Sequence, residues 1–152
     1  MNTQELVKAL GDHAFLRGLA PAHLAELSRL TQQITLSAGQ FLGREREAAV
    51  AFYLLQSGRV AVEVQKPGRG AVRVKVVGPG DIVGWSWLVP PYRWHFDARV
   101  LDSVQALALD AEALRRKCDA DHELGYQLLK RLIAVVGSRL AATQEHVLDF
   151  EA

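Results

Sequence analysis

The apolar positions change period twice along the chain. Leu6, Leu10, Leu19, Leu24, Leu27 and Leu30 fall at helical spacings, broken by Gly11 and by Gly18-Leu19-Ala20-Pro21. This predicts two or three short helices within residues 1–31, with Pro21 in a first helical turn, where its missing N–H costs nothing. From Ile34 the period becomes two, in short runs bounded by glycine. Val60, Val62, Val64 and Val72, Val74, Val76 alternate cleanly, and Ser57-Gly58 and Lys66-Pro67-Gly68-Arg69-Gly70 supply hairpin turns. Strands are predicted at 33–36, 40–42, 51–56, 59–65, 72–77, 81–83, 96–101 and 105–110. Eight short strands so closely spaced predict an antiparallel jelly-roll barrel over 32–110, within an α+β domain. The helical period returns in a short helix at 111–118 and a long one at 121–150, with Asp119 or Asp121 as its N-cap.

The long helix carries a second pattern. Leu129, Ile133, Val136, Leu140, Thr143, Val147 and Phe150 recur at alternating steps of four and three, which is the seam of a coiled coil. Leu128, Leu132 and Val135 widen the stripe at its start, where the helix is expected to pack on its own barrel. The seam would leave a large apolar stripe in water, so a homodimer through this helix is expected.

Composition narrows the function classes. The chain has 152 residues, 49% of them hydrophobic, with 18 Lys and Arg against 17 Asp and Glu, a net charge of +1. It reads as one domain, 1–152, with no basic surplus to favour nucleic acid. Its single cysteine, Cys118, makes neither an internal disulfide nor a cysteine-rich metal site. His13, His23, His95, His122 and His146 never form the close pairs of a jelly-roll metal centre, so no metal is expected. No Ser, Cys or Thr sits in a nucleophile motif, and the chain is expected not to be an enzyme. Met1–Leu10 is amphipathic, with Glu5 and Lys8, unlike a signal peptide. No run approaches the ~20 apolar residues of a membrane span, and a cytoplasmic setting is expected. Arg115-Arg116-Lys117 is expected as a solvated face near a helix C-terminus.

The candidate chemistry lies in Gly78-Pro79-Gly80-Asp81-Ile82-Val83-Gly84-Trp85-Ser86-Trp87-Leu88, followed by Phe96-Asp97-Ala98-Arg99-Val100. A tight glycine turn, a short strand and a single helical turn aim several backbone N–H groups at one point, which suits an anion such as phosphate. Trp85, Trp87, Tyr92, Trp94 and Phe96 crowd the segment around Pro90-Pro91. Two readings stay open: an aromatic platform for a flat ligand, or rings that plug the pocket.

Gly39 begins a Gly-x-x-Leu turn, and Phe52-Tyr53-Leu54-Leu55-Gln56-Ser57-Gly58-Arg59-Val60 matches a Tyr-hydrophobic-x-x-Gly-x-Val strand pair. With the order of elements, these motifs resemble the regulatory domain of the bacterial cyclic AMP receptor protein family over nearly the whole chain. The resemblance implies a non-enzymatic, ligand-sensing regulatory domain that dimerises through its last helix. It implies a cyclic nucleotide in the segment 78–98, held by Gly84, Ser86 and nearby backbone, with Trp85, Trp87, Asp97 and Ala98 around it.

In the family a glutamate follows the cassette glycine and holds the ribose 2′-hydroxyl. Here Trp85 follows Gly84, and an indole has a donor but no acceptor. The family's phosphate-binding arginine lies two residues before a small residue. Counting back from Ala98 places Phe96 there, and counting forward from Gly84 places His95. Arg93 lies nearby. Losing a charge-assisted bidentate contact costs ~2–5 kcal/mol. Affinity would fall ~30- to 3,000-fold, so cyclic AMP is expected to bind feebly or not at all unless Arg93 or His95 supplies the charge.

Arg139-Leu140-Ala141-Ala142-Thr143 matches the neighbourhood of the family's adenine-contacting threonine, which places Thr143 either at a base or as a polar register residue in the seam. Gln144 replaces the adjacent serine. The alternatives to a nucleotide sensor are a degenerate domain serving as a protein-interaction module, and a sensor of another anionic or flat molecule. Transcription factors of the family carry a helix-turn-helix after the long helix. Two residues past Phe150 hold none, so no direct DNA binding is expected.

Overall fold

The computed structural model describes the backbone of residues 1–151 and the side chains of residues 1–144. Its order is α1 (Thr3–Asp12), α2 (Pro21–Ser28), β1 (Thr31–Leu36), β2 (Phe41–Gly43), β3 (Ala51–Ser57), β4 (Val60–Lys66), β5 (Gly70–Val77) and β6 (Ile82–Val83). A single-turn 3-10 helix, η1 (Trp85–Leu88), leads to β7 (Asp97–Val100), β8 (Val104–Asp110), α3 (Ala111–Ala120) and α4 (His122–Glu151). Each predicted strand is present. β5 begins earlier than predicted, at Gly70, because the hairpin turn is tighter than the run of glycines suggests. Asp121, not Asp119, caps α4: its Oδ1 accepts the Leu124 N–H at 3.1 Å. α1 opens with a capping box in which Asn2 Oδ1 accepts the Glu5 N–H at 2.8 Å and the Glu5 carboxylate accepts the Asn2 N–H.

The strands form two antiparallel sheets of order β1-β8-β3-β6 and β2-β7-β4-β5. Period-two alternation divides the first sheet between two cores. Tyr53, Leu55, Val83 and Ala106 face the barrel interior with Leu42, Val60, Ala98 and Val100 of the second sheet. Phe52, Leu54, Ile82, Leu107 and Leu109 face the other way, against Leu10, Leu16 and Leu27, Leu114 of α3 and Leu124 of α4. Leu128 and Leu132 are buried there and Val135 partly so, which places the start of α4 on its own barrel. The other stripe is open: Leu129 is 45% exposed, Ile133 62%, Val136 38% and Leu140 56%. Val147 and Phe150 lie outside the described side chains.

His13 joins α1 to the barrel. Its Nε2 donates to the Leu55 carbonyl at 2.9 Å, and its Nδ1 accepts the Phe15 N–H at 3.1 Å. That bonding requires the neutral ring. Burial pushes its pKa below the ordinary 6.5, against smaller opposing pulls from the Leu55 bond and Asp81. The unfolded chain therefore binds this proton more readily than the folded one. The stability contributed by neutral His13 is complete above about pH 6.5 and is lost as pH falls through the lower folded value. In urea unfolding, the stability difference between wild type and His13→Gln should shrink from pH 7.5 to pH 5. A difference constant over that range would exclude His13 as the source.

Candidate ligand site at the glycine-tryptophan cassette

The cassette starts at a closed turn. The Asp81 N–H donates to the Gly78 carbonyl at 3.0 Å, and Asp81 Oδ2 accepts the Gly78 N–H at 2.9 Å. Two residues of β6 then pair with β3, Tyr53 opposite Val83 and Leu54 opposite Ile82. Gly84 takes the left-handed conformation at φ 93° and starts η1. A Cβ there would lie 3.1 Å from the Trp94 ring and 3.3 Å from the Ala51 carbonyl oxygen.

The aromatic residues go to different places. Trp87, 1% exposed, enters the core beneath the helices, its ring 5.5 Å from that of Phe52. Trp85 stays half-buried and stacks on His95, centroids 5.2 Å apart and planes at 22°. Trp94, 3% exposed, enters the barrel interior. Its ring lies 5.7 Å from Phe96, edge to face, and 6.3 Å from Tyr53. A Cβ on Gly43 would collide with this indole, so Gly43 and Gly84 together make room for one ring. The backbone of Trp94 is fixed too: its N–H donates to the Glu47 carbonyl at 2.9 Å, and its carbonyl accepts the Arg46 N–H at 2.9 Å.

Phe96, just before β7, turns inward with Ala98 and Val100, and Asp97 and Arg99 turn to the opposite face. Trp94, which lies against Gly84, is uncharged, as are Val83, Phe96 and Ala98 of the same core. Arg93 is exposed and donates from Nη1 to the Arg46 carbonyl at 3.1 Å. His95 is exposed against Trp85. Asp97, 2% exposed, accepts the Glu45 N–H at 2.8 Å and Gln65 Nε2 at 3.0 Å, which ties the turn after β2 to the second sheet. Beside it Arg99 donates to both oxygens of Glu63, at 2.9 and 2.8 Å. Those hydrogen bonds hold the Glu63 carboxyl below its ordinary range despite burial. Thr143 donates its hydroxyl to the Arg139 carbonyl at 2.9 Å within its own helix, and Gln144 is exposed.

Two arginines outside the expected site, and Ser86 within it, also bear on the cassette. Arg115, expected in solvent, donates from Nη1 to the Trp87 carbonyl at 2.7 Å and lies 4.0 Å over the Tyr92 ring. Its flat guanidinium does both at once, as a lysine would not. Arg116 does face solvent, paired with Glu112 at 2.8 Å. From α4, Arg139 Nη2 donates to the Ile82 carbonyl at 2.8 Å. Burial lowers its pKa and nearby Asp81 opposes the shift. Two arginines from the C-terminal helices thus hold the cassette at Ile82 in β6 and at Trp87 in η1. The third is Ser86, 1% exposed, whose Oγ has no hydrogen-bond partner. Among the described residues, no group of three His, Cys, Asp or Glu side chains is placed to hold a metal ion. Among them too, no helix is long and apolar enough to cross a membrane.

A jelly roll with a glycine-led 3-10 turn between two of its strands, backed by a long C-terminal helix, is the architecture of a nucleotide-sensing regulatory domain. The sequence profile of the cyclic nucleotide-binding domain matches residues 33–121, from β1 to the end of α3. The chain belongs to that family. It is 26% identical over 133 residues, 88% of its length, to a CRP-like cAMP-activated global transcriptional regulator of Mycobacterium tuberculosis, and it spans 58% of that regulator. Two solved structures share the fold. A cyclic nucleotide-binding domain from Methylobacillus flagellatus aligns with a TM-score of 0.79 at 18% identity, over 97% of this chain and 83% of that one. The sensor domain of the transcriptional regulator DNR from Pseudomonas aeruginosa aligns with a TM-score of 0.73 at 21% identity, over 91% and 93%.

Proposed function

We propose that this domain regulates a partner protein by contact, as a cytoplasmic homodimer joined through α4, with its cassette closed by its own rings instead of by a cyclic nucleotide. The observation that carries this reading is the Trp94 indole packed in the barrel interior against Gly84 and Phe96. In the related family that neighbourhood receives a cyclic phosphate and its arginine. Here it holds two aromatic rings, and Arg115 and Arg139 brace the closed cassette from outside. The domain performs no catalysis in this reading. A cAMP-binding acyltransferase of Mycobacterium smegmatis shares the fold, but the aligned part is 42% of that chain. A net charge of +1 gives no electrostatic footing on DNA.

Calorimetry with cyclic AMP and cyclic GMP at pH 7.5 and pH 5.5 tests the closed cassette. No binding heat is expected at hundreds of micromolar nucleotide. Micromolar binding that strengthens at the lower pH would assign the phosphate to His95 and overturn the reading. Binding that is flat with pH and lost in Arg93→Ala would assign it to Arg93, with the same consequence. The buried, unpartnered Ser86 Oγ favours a second reading, a sensor of another flat or anionic molecule. A thermal-shift screen of such molecules separates the two.

A further inference from the structure

We propose that the partner subunit's Tyr126 seats in an open groove between η1, α3 and α4, so that the dimer contact runs from α4 onto the cassette. The inference rests on the α4 homodimer proposed above. Tyr126, Leu129, Ile133, Val136 and Leu140 follow one another at alternating steps of three and four, so Tyr126 adds one step to the start of the seam. Its side chain is 61% exposed. In a parallel pair, each such knob enters a hole of four residues on the facing helix. For Tyr126 these lie four before, one before, at and three after its own height: His122, Gly125, Tyr126 and Leu129. All four line one groove of about 250 Å³, together with Leu88 of η1 and Cys118 of α3. Position 125 carries no side chain, and the groove reaches α3 there. A Cβ on Gly125 would lie 3.0 Å from the Cys118 carbonyl oxygen and 3.3 Å from its Cβ. The largest exposed knob of the stripe thus stands beside the residue that deepens its hole.

The area that a dimer needs points the same way. A stable dimer buries about 800 Å² on each partner. A fully buried aliphatic side chain supplies on the order of 100 Å², so Leu129, Ile133, Val136 and Leu140 supply roughly half of that. Among the described side chains, Tyr126 and Leu88 share the groove with Leu129 and so continue the stripe, and an aromatic ring adds ~150–250 Å². A phenol also suits an open apolar groove, because its ring is apolar and its hydroxyl can stay in water. Two-fold symmetry makes the exchange reciprocal: each copy gives one ring and receives one. Leu88 ends η1, next to the Trp87 carbonyl that Arg115 holds. A ring against Leu88 therefore ties each cassette to the other copy, and by linkage the arrangement of η1 that fits the ring strengthens the dimer.

The test uses the full chain. In sedimentation equilibrium, Tyr126→Ala should weaken the dimer about 30-fold or more, the effect of truncating an anchor residue of an interface. Leu88→Cys in a Cys118→Ala background places a single thiol in the groove. A maleimide should label that thiol slowly in the dimer. Labelling should become fast when Val136→Asp makes the chain a monomer, and also when Tyr126→Ala empties the groove at a concentration that keeps it dimeric. Dimeric wild type with an undiminished Tyr126→Ala dimer would overturn the inference and leave the α4 dimer standing. Labelling equally fast, or equally slow, in dimer and monomer would do the same, the slow case assigning the groove to the chain's own side chains. Wild type sedimenting as a monomer at tens of micromolar would instead remove the α4 dimer itself, and this inference with it.

Discussion

Trp94→Ala should cost about 3–5 kcal/mol of stability, the usual range for truncating a fully buried aromatic residue. At ~2–4 °C per kcal/mol for a chain of this size, the melting temperature should fall by roughly 6–20 °C at fixed protein concentration. The magnitude follows from where the ring sits. Trp94 is 3% exposed, and its contacts come from parts of the chain that share no local element: Tyr53 on β3, Gly43 at the end of β2, Gly84 before η1 and Phe96 before β7. Removing the indole leaves a cavity in a β interior whose two sheets are pinned by their hydrogen-bond ladders, so the site collapses poorly. Gly43→Ala tests the same packing from the other side, because its methyl group meets the ring edge and either the indole or β2 must move. Denaturant unfolding of both variants is the measurement. A loss below ~1 kcal/mol for Trp94→Ala would mean that the ring only covers the barrel mouth. The emptied space should still not take cyclic AMP, because Phe96 leaves the phosphate without a cation.

The residues that decide between platform and plug are far apart in sequence. The sheet was legible because alternation is a local signal: Phe52 and Leu54 face one core, Tyr53 and Leu55 the other, and the period shows it. The cassette backbone was legible for the same reason, through the Gly78-Pro79-Gly80 turn and Gly84. The fate of Trp94 was not. An aromatic residue beside a proline loop looks the same whether it stacks a ligand or fills a core. The deciding feature is a missing side chain at Gly43, on a strand that reaches the ring only through the β2–β7 pairing.

Arg115 and Arg139 escaped for another reason. Their partners are the Trp87 and Ile82 carbonyls, and every residue has a carbonyl, so no complementary charge marks the pair in sequence. The Glu63–Arg99 pair is visible only once the β4–β7 register sets Glu63 opposite Asp97 and Arg99 two residues further on, opposite Ala61. The apolar stripe of α4 is a periodic feature and so is legible in the sequence; Leu129, Ile133, Val136 and Leu140 at its start are exposed on the single chain.

Val136→Asp should convert the protein from dimer to monomer. Val136 lies in the middle of the open stripe, 38% exposed, while Leu128 and Leu132 on the neighbouring side of the helix are buried in the chain's own core. The substitution therefore strikes the surface between copies without touching the barrel. In a two-fold seam each carboxylate enters an apolar contact and meets its symmetry mate. Desolvating an unpaired ion costs several kcal/mol, and ~3 kcal/mol alone weakens a dimer by more than about 100-fold. Sedimentation at tens of micromolar should show wild type as a dimer and the variant as a monomer with unchanged helix content. Ser138→Asp is the control. It adds the same charge two residues further on, about 200° around the helix and away from the stripe, at an exposed position, and should stay dimeric. Wild type sedimenting as a monomer at these concentrations would leave the α4 stripe without its proposed occupant and would remove the dimer from the reading of this domain.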